Sequence, residues 1–201
     1  TFVQLLINLK QSNKMKKILL ILTILISTAT LAQRTAESKY TFGFGVNFID
    51  NSGTAKTNFF ETDNWNVIPF FLAFTVERKM DKNFKLNAQF LLNEYDKDNI
   101  QNGGKIEYNA TYTSVNLNAL YTFDSHFVDV DWFDASVIAG AGAMWLDGIP
   151  NQTFNTGLAL DFKLSKMVGL RLETQGRFAF EKQLLGNNHI VHAVSVILPI
   201  K

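Results

Sequence analysis

Residues 39–48 read KYTFGFGVNF, in which large apolar or aromatic side chains alternate with small or neutral polar ones. A period of two is typical of a β-strand, because successive side chains point to opposite faces of a sheet. The second face carries only Thr41, Gly43, Gly45 and Asn47. A strand with one face in water usually presents Lys, Glu and Asp there, so this pattern favours a strand with its apolar face in lipid.

The same alternation recurs along the chain, least cleanly in residues 135–145. It predicts eight strands: 39–48, 67–78, 84–95, 112–123, 135–145, 153–163, 168–180 and 189–200. Lipid offers no hydrogen-bond partners, so strands can cross a bilayer only if they close into a barrel, and bacterial barrels have an even number of strands. The predicted fold is therefore all-β: an eight-stranded antiparallel up-and-down transmembrane β-barrel, preceded by a signal peptide.

The N-terminal residues have the pattern of a secretory signal peptide. Residues 15–17 are Met-Lys-Lys, residues 18–31 are mostly apolar, and a small-residue cleavage site ends at Ala32. About fourteen apolar residues are too few for a transmembrane helix, which needs ~20. The expected domains are an upstream extension without a structural role in residues 1–14, a signal peptide in residues 15–32, and one outer-membrane barrel in residues 33–201.

Composition excludes several classes of protein. The sequence has no Cys, so neither disulfides nor thiolate metal sites can stabilise the fold. The formal net charge of +1 argues against a nucleic-acid partner, which would require a basic surface.

The lengths of the predicted links are a second indication of a barrel. The links at residues 49–66 and 96–108 are long and polar, whereas those near residues 81–83 and Lys166 are short. Outer-membrane barrels alternate long external loops with short periplasmic turns. The link at residues 124–132 is longer than this rule expects. Aromatic residues stand at predicted strand ends, where rings can lie at the level of lipid headgroups: Tyr40, Trp65, Tyr121, Trp132 and Trp145.

Four segments together resemble the N-terminal barrel of OmpA-type outer-membrane proteins. They are GFGVNFIDNSG at residues 43–53, NWNVIPF at 64–70, DWFDASVIAGAGAMWLDG at 131–148 and HIVHAVSVILPI at 189–200. The resemblance implies an integral barrel in the outer membrane of a Gram-negative cell, with its N-terminus in the periplasm. It implies outer-membrane lipids, lipopolysaccharide and the barrel-assembly machinery as partners, and we expect a monomer.

Two features depart from that family's pattern. Its members commonly continue into a periplasmic peptidoglycan-binding domain, which this sequence does not contain. Barrels that end at their last strand usually finish on an aromatic residue, where this sequence reads Pro-Ile-Lys at residues 199–201.

The inward faces of the predicted strands carry polar residues and charges of both signs. An eight-stranded interior is only wide enough to be filled by side chains, and an unpaired charge there is costly. We therefore expect ion pairs between Asp161 or Glu173 and neighbouring cations, in a polar network that plugs the lumen. The predicted network comprises Lys85, Asn87, Gln89, Asn116, Asn118, Asp161, Lys163, Arg171, Glu173 and Arg177.

Residues that suggest catalysis or cofactor binding have simpler interpretations. His192 and Ser195 are three residues apart on one strand, so they face opposite ways and cannot form a nucleophile–base pair through it. His189 is interpreted as a polar residue in or near the fourth outer loop. No catalytic, cofactor or metal site is predicted.

Acidic and glycine-rich segments also lack the patterns of binding sites. Asp124, Asp129, Asp131 and Asp134 lack the Gly and Glu of an EF-hand loop and are expected to be solvated charges. The Gly-x-Gly pairs at residues 43–45 and 140–142 lack a third Gly and a following helix, so they favour bending or close packing inside a narrow barrel.

The sequence therefore predicts a non-enzymatic barrel with a structural role in the envelope and surface-exposed loops. Two alternatives remain, a small pore and a soluble lipocalin-like barrel that binds an apolar ligand inside. In a lipocalin-like barrel the faces would be inverted. Rows of Phe and Leu would then overfill the lumen, and the Gly, Asn, Ser and Thr of the other face would leave the exterior short of charge, which favours the membrane interpretation.

Overall fold

The structure is a computed structural model that describes residues 38–53, 62–70, 72–123, 130–181 and 187–200. The predicted extension in residues 1–14 and signal peptide in residues 15–32 lie outside these residues. No helix within the described ranges is long and apolar enough to cross a membrane.

The described residues form nine strands and one short 3-10 helix, Thr62–Asn64. The strands are β1 (Tyr40–Asp50), β2 (Trp65–Val67), β3 (Ala73–Lys79), β4 (Phe84–Tyr95), β5 (Ala110–Thr122), β6 (Phe133–Leu146), β7 (Ile149–Lys163), β8 (Gly169–Ala179) and β9 (His189–Ile200).

The strands close into a barrel in which every pairing is antiparallel. From β3 to β9 each strand pairs with the next along the chain, and β9 pairs with β1 from Ile200 opposite Tyr40 to Ile190 opposite Asp50. Strands β2 and β3 both pair with the other edge of β1. Strand β3 pairs with the first half of β1, and β2 pairs with its last three residues. They share one position in the sheet, so nine strands occupy eight positions, and the predicted eight-stranded barrel is confirmed.

The second predicted strand, residues 67–78, is wrong in one respect, because the structure breaks it between β2 and β3. Pro69 has no N–H and cannot donate to the ladder. Two tight turns interrupt the strand here. In them the Phe70 N–H donates to the Ile68 carbonyl at 2.7 Å, and the Leu72 N–H donates to the Phe70 carbonyl at 2.9 Å.

The link between β6 and β7 is also shorter than predicted. The alternation predicts that one strand ends at residue 145 and the next begins at 153, whereas the structure turns within Asp147 and Gly148. Their φ angles of 48° and 80° suit a two-residue hairpin turn of type I′. Pro150 resembles a turn residue in the sequence, but it lies near the start of β7, where a missing N–H is tolerated.

Apolar side chains cover the outside of the barrel, as the alternation predicts. Leu117 on β5 is 64% exposed and Leu158 on β7 is 51% exposed, although both are in the middle of long strands. The other outward-facing apolar residues include Phe42, Phe74, Val76, Phe90, Val115, Val137, Phe154, Phe178 and Val194. The inward faces are buried and mostly polar, so this protein has the inverse of a soluble protein's distribution.

The two ends of the barrel differ, and we name them by their links. At the turn end lie residues 80–83, residues 164–168, Tyr40 and Ile200. At the loop end lie the described parts of the links after β1, β4, β6 and β8. Strand β5 ends and β6 begins at the turn end, and most of the link between them is outside the described residues.

Candidate functional site

The candidate site is the barrel interior, where the structure places nearly all of the predicted network. Eight of the ten residues are buried on inward faces, namely Asn87, Gln89, Asn116, Asn118, Asp161, Arg171, Glu173 and Arg177. The Lys85 side chain is 12% exposed. Lys163 is two residues after Asp161 and therefore belongs to the same face of β7, but it lies at the turn end and its side chain is 45% exposed.

Arg171 binds two carboxylates and forms the centre of the half of the polar network that lies nearer the turn end. Its Nε and Nη2 donate to the two carboxylate oxygens of Asp161 at 2.6 and 2.7 Å, and Nη1 donates to Glu77 Oε2 at 2.8 Å. Asp161 is its direct partner in the β7–β8 register, whereas Glu77 belongs to β3. All three side chains are at most 5% exposed. Charge-assisted bonds of this bidentate geometry are among the stronger hydrogen bonds in proteins.

A chain of ion pairs continues from this centre to the turn end. Lys85 Nζ lies 3.4 Å from Asp161, 3.7 Å from Glu77 and 3.9 Å from Asp134. Lys163 Nζ then donates to Asp134 Oδ1 at 2.8 Å. Asp134 is 22% exposed, so it keeps some contact with solvent while it pairs with the two lysines.

The loop-end half is centred on Arg177. Its Nη1 donates to Tyr112 Oη and Ser114 Oγ, both at 2.7 Å, and its Nη2 donates to Gln89 Oε1 at 2.8 Å. Strands β4, β5 and β8 are thereby linked across the interior.

Of the two acids expected to form ion pairs, Asp161 does so, whereas Glu173, between the two arginines on β8, forms none with the described residues. Its Oε1 accepts hydrogen bonds from Gln89 Nε2 and Gln175 Nε2, each at 2.6 Å. Amide donors therefore replace the predicted cation. The side chain still has two hydrogen bonds, which a buried carboxylate requires.

His189 is the first residue of β9, next to the link that precedes this strand, as the sequence predicts, but its side chain is buried. Its Nε2 lies 3.0 Å from Tyr112 Oη, and its Nδ1 lies 2.8 Å from the carbonyl of Asn187. The hydrogen-bonded chain therefore reaches from Arg177 to the link that precedes β9.

A layer of asparagines fills the middle of the barrel beside small residues. The Asn155 side-chain nitrogen lies 3.0 Å from the Asn116 amide and 3.4 Å from the Asn118 amide. Gly140 and Gly142 face these amides, and a Cβ on either glycine would overlap them. The Gly-x-Gly pair at residues 140–142 therefore makes room for the asparagine layer. Asn87 is 1% exposed, and neither atom of its amide has a hydrogen-bond partner among the described residues.

Apolar residues close the interior near the loop end, a feature that the predicted polar network does not include. Tyr95 and Tyr112 stack at a ring separation of 5.7 Å, and both are at most 1% exposed. Packed with them are Ile49, Leu91, Met144, Leu146 and Val191. The sequence could have predicted this apolar cluster, because these residues interrupt otherwise polar inward faces near the loop end of each strand.

The first two outer links pack against one another at the loop end. The buried Asn66 accepts from Gln101 Nε2 at 2.7 Å and donates to the Ile49 carbonyl at 3.2 Å. The Asn102 N–H donates to the Asn51 carbonyl at 2.6 Å. Ser52, in the same link as Asn51, is only 3% exposed. Part of the loops is therefore folded over the barrel.

The residues considered for catalysis are placed as their spacing predicts. His192 faces outward, where its ring stacks on Trp65 at 4.5 Å and its Nδ1 lies 2.9 Å from Thr174 Oγ1. Ser195 faces inward and is 5% exposed. The two side chains therefore lie on opposite sides of the barrel wall.

Two of the four acidic residues considered for a metal site are among the described residues. Asp124 and Asp129 lie outside the described residues, and Asp131 is exposed. Within the described ranges, no group of three or more His, Cys, Asp or Glu side chains is arranged to hold a metal ion.

No protein family matches this sequence, and no curated protein is significantly similar to it. Among solved structures it is similar to that of Ail, the attachment invasion locus protein of Yersinia pestis, at 9% identity and a TM-score of 0.44, over 81% of this chain and 98% of that one. The structure of Ail in a phospholipid bilayer nanodisc has 10% identity and a TM-score of 0.46, and the match covers 81% of this chain and 99% of that one. Neisserial surface protein A has 8% sequence identity and a TM-score of 0.46, and the match covers 84% of this chain and 100% of that one.

These likenesses are distant, and the assignment of the fold rests on the strand pairing and the faces of this chain. All eight sheet positions are paired on both sides, the inward face is mostly polar, and the outward face is mostly apolar. The resemblance to OmpA-type outer-membrane proteins is thus confirmed at the level of the fold, a closed eight-stranded antiparallel β-barrel.

Proposed function

We propose that this chain is an integral, non-enzymatic protein of the outer membrane that strengthens the envelope and presents its loop end outside the cell. The apolar exterior is the observation that supports this proposal most strongly. Large side chains such as Leu117, Leu158 and Phe154 are about half exposed or more in mid-strand. A soluble protein rarely exposes a contiguous apolar surface of this kind, whereas a barrel in lipid requires one.

The arrangement of the faces argues against the soluble lipocalin-like alternative. A lipocalin-like barrel would need an apolar interior around its ligand and a charged exterior. Here the buried inward positions include Arg171, Arg177, Asp161 and Glu173, and the outward positions carry Phe, Leu and Val.

We further propose that the lumen is plugged and that the protein is not a general porin. Arg171 connects β8 to β7 and β3, while Arg177 connects β8 to β5 and β4. Both arginines are at most 2% exposed. Opening a water-filled path would require breaking several buried charge-assisted bonds, which is costly.

Conductance of the purified protein in planar bilayers tests the plug. The parent should give no channels or only small ones. Arg171→Ala and Glu173→Ala should increase the conductance, because each removes a side chain that crosses the lumen. Lys105→Ala, in the exposed link between β4 and β5, is the matched control and should leave the conductance unchanged.

Large and stable channels from the parent, of the size given by sixteen-stranded porins, would contradict the plug. Small parental channels that are unaffected by both lumen variants would favour the second candidate, a small pore. The buried and unpartnered amide of Asn87 is the observation that favours such a residual polar path.

The remaining expectations from the sequence are also proposals. They are a cleaved signal peptide in residues 15–32, assembly by the barrel-assembly machinery, contact with lipopolysaccharide, and a monomeric state. Heat-modifiable migration of the detergent-extracted protein on a denaturing gel tests the folded barrel, and N-terminal sequencing of the same band tests cleavage after Ala32.

A further inference from the structure

The turn end of the barrel carries a basic patch where β1 begins and β3 turns into β4. An open cavity of about 310 Å³ lies there, lined by Ser38, Lys39, Lys79, Met80, Asp81 and Lys82. The Lys79 N–H donates to the Lys39 carbonyl at 2.9 Å, which holds the two segments side by side. We call Lys39, Arg78, Lys79 and Lys82 the basic rim patch.

Arg78 extends this patch onto the outer wall of the barrel. It is exposed and shares the outward face of β3 with Val76, which is 44% exposed. Its register partners are Tyr40 on β1 and Leu86 on β4, both also outward. A guanidinium group beside an exposed tyrosine, at the edge of an apolar wall, is placed where lipid phosphates would lie.

The residues that line the cavity include three lysines and one carboxylate, Asp81. Asp81 Oδ1 accepts hydrogen bonds from the N–H groups of Asn83 at 2.8 Å and Phe84 at 2.7 Å, which stabilise the turn. Within the described part of the chain, no carboxylate forms a salt bridge with Lys39, Arg78 or Lys82. The patch therefore has an excess of positive charge.

The opposite end of the barrel has the opposite charge balance. Its described links and adjoining strand ends carry the acidic residues Asp63, Glu94, Asp96, Asp98, Glu107, Asp147 and Glu181 against Lys97 and Lys105. Anionic headgroups should therefore be attracted to the turn end and repelled from the loop end.

We propose, on the basis of the membrane assignment above, that the basic rim patch binds the phosphate of an anionic phospholipid in the periplasmic leaflet. The Arg78 guanidinium group can donate two parallel hydrogen bonds to phosphate oxygens, and Lys39 and Lys82 add positive charge at the same level. Tyr40 lies at the headgroup boundary, and Met80, which is 49% exposed, contacts the glycerol region.

Lipid selectivity of the reconstituted barrel tests this inference. The protein is placed in phosphatidylcholine vesicles that contain a trace of spin-labelled phosphatidylglycerol or spin-labelled phosphatidylcholine. Electron paramagnetic resonance then measures the fraction of each label that the barrel immobilises. The parent should prefer phosphatidylglycerol by roughly two- to fivefold at low salt, and the preference should decrease in high salt. Because both leaflets have the same composition, the orientation of the barrel does not affect the result.

The triple variant Lys39→Gln/Arg78→Gln/Lys82→Gln should reduce the preference to about one. These positions are exposed, so the variant should fold, and heat-modifiable migration checks that it does. The control Lys97→Gln/Lys105→Gln changes two cations at the loop end and should retain the parental preference. Unchanged selectivity in the triple variant, or an equal loss in the control, would overturn the inference.

Three further outcomes distinguish a failure of this inference from a failure of the membrane assignment. Displacement of the labelled lipid by inorganic phosphate, beyond the effect of chloride at the same ionic strength, would indicate a free-anion site and overturn it. Immobilisation of both labels to the same extent by the parent would overturn it while leaving the membrane assignment intact. If neither label were immobilised, the membrane assignment would be wrong and this inference with it.

Discussion

At the scale of single residues, the charges in the lumen depend on partners that lie on other strands. Arg171 binds Asp161 and Glu77 in a site that is nearly closed to water, whereas Lys163 binds Asp134 at the turn end, with 45% of its side chain exposed. A buried pair is sensitive to the loss of one partner, because the remaining charge cannot be hydrated, while an exposed pair contributes little.

Arg171→Ala should therefore lower the free energy of unfolding by about 3–5 kcal/mol, because it leaves Glu77 and Asp161 buried near only Lys85. Lys163→Ala should lower it by at most about 1 kcal/mol. Urea unfolding from lipid vesicles, followed by tryptophan fluorescence, measures both. Equal effects of the two variants would show that Arg171 is hydrated and that the lumen is not closed.

The backbones of β1 and β9 approach each other closely at Gly45, and a substitution there can test this contact. An ideal Cβ at this position would overlap the Val194 carbonyl and come within 2.6 Å of Ser195 Cα on β9, where backbone cannot move aside easily. We expect Gly45→Ala to destabilise the barrel by about 1–3 kcal/mol. Gly104→Ala is the matched control, because nothing lies within 4 Å of its Cβ. The same unfolding titration applies, and a harmless Gly45→Ala would mean that β1 and β9 pair less closely than described.

At the scale of strands, alternation between two faces is the property that the sequence predicts best. Strands β4 and β5 follow it over 12 and 13 residues, with buried and exposed positions in turn. Strand ends were predicted less well. The break at Pro69 and the two-residue turn at Asp147 and Gly148 depend on which backbone groups find partners on the neighbouring strand.

The outward face of a strand can be tested with matched leucines. Leu117→Arg, in the middle of β5, should cost about 2–4 kcal/mol, because the charge would lie near the centre of the bilayer. Leu164→Arg, which follows β7 at the turn end and is equally exposed, should cost about 0–1 kcal/mol. Unfolding from vesicles measures both. If both variants were tolerated equally, water rather than lipid would surround β5.

At the scale of the whole molecule, the two ends should face different compartments. Asn102, in an exposed turn at the loop end, should be outside the cell, and Lys82, at the turn end, should be in the periplasm. An impermeant thiol reagent should therefore label Asn102→Cys in intact cells and label Lys82→Cys only after the outer membrane is opened. Ser52 is a poor site for this test because it is buried. Labelling of Lys82→Cys alone would invert the proposed orientation.

The sequence by itself determined the class of fold, the number of sheet positions and the face on which most residues lie. It could do so because strand geometry is local, and a period of two identifies the two faces without reference to any other strand. It also placed the polar residues from Lys85 to Arg177 on inward faces.

Only the tertiary structure decided which inward side chains meet. Glu77 and Arg171 are 94 residues apart in sequence. Their contact depends on how the closed sheet is staggered around the barrel, as do the amide partners of Glu173 and the engagement of Asp134 by Lys163. No local pattern encodes that stagger, because it is set by all the strand registers together when β1 closes on β9.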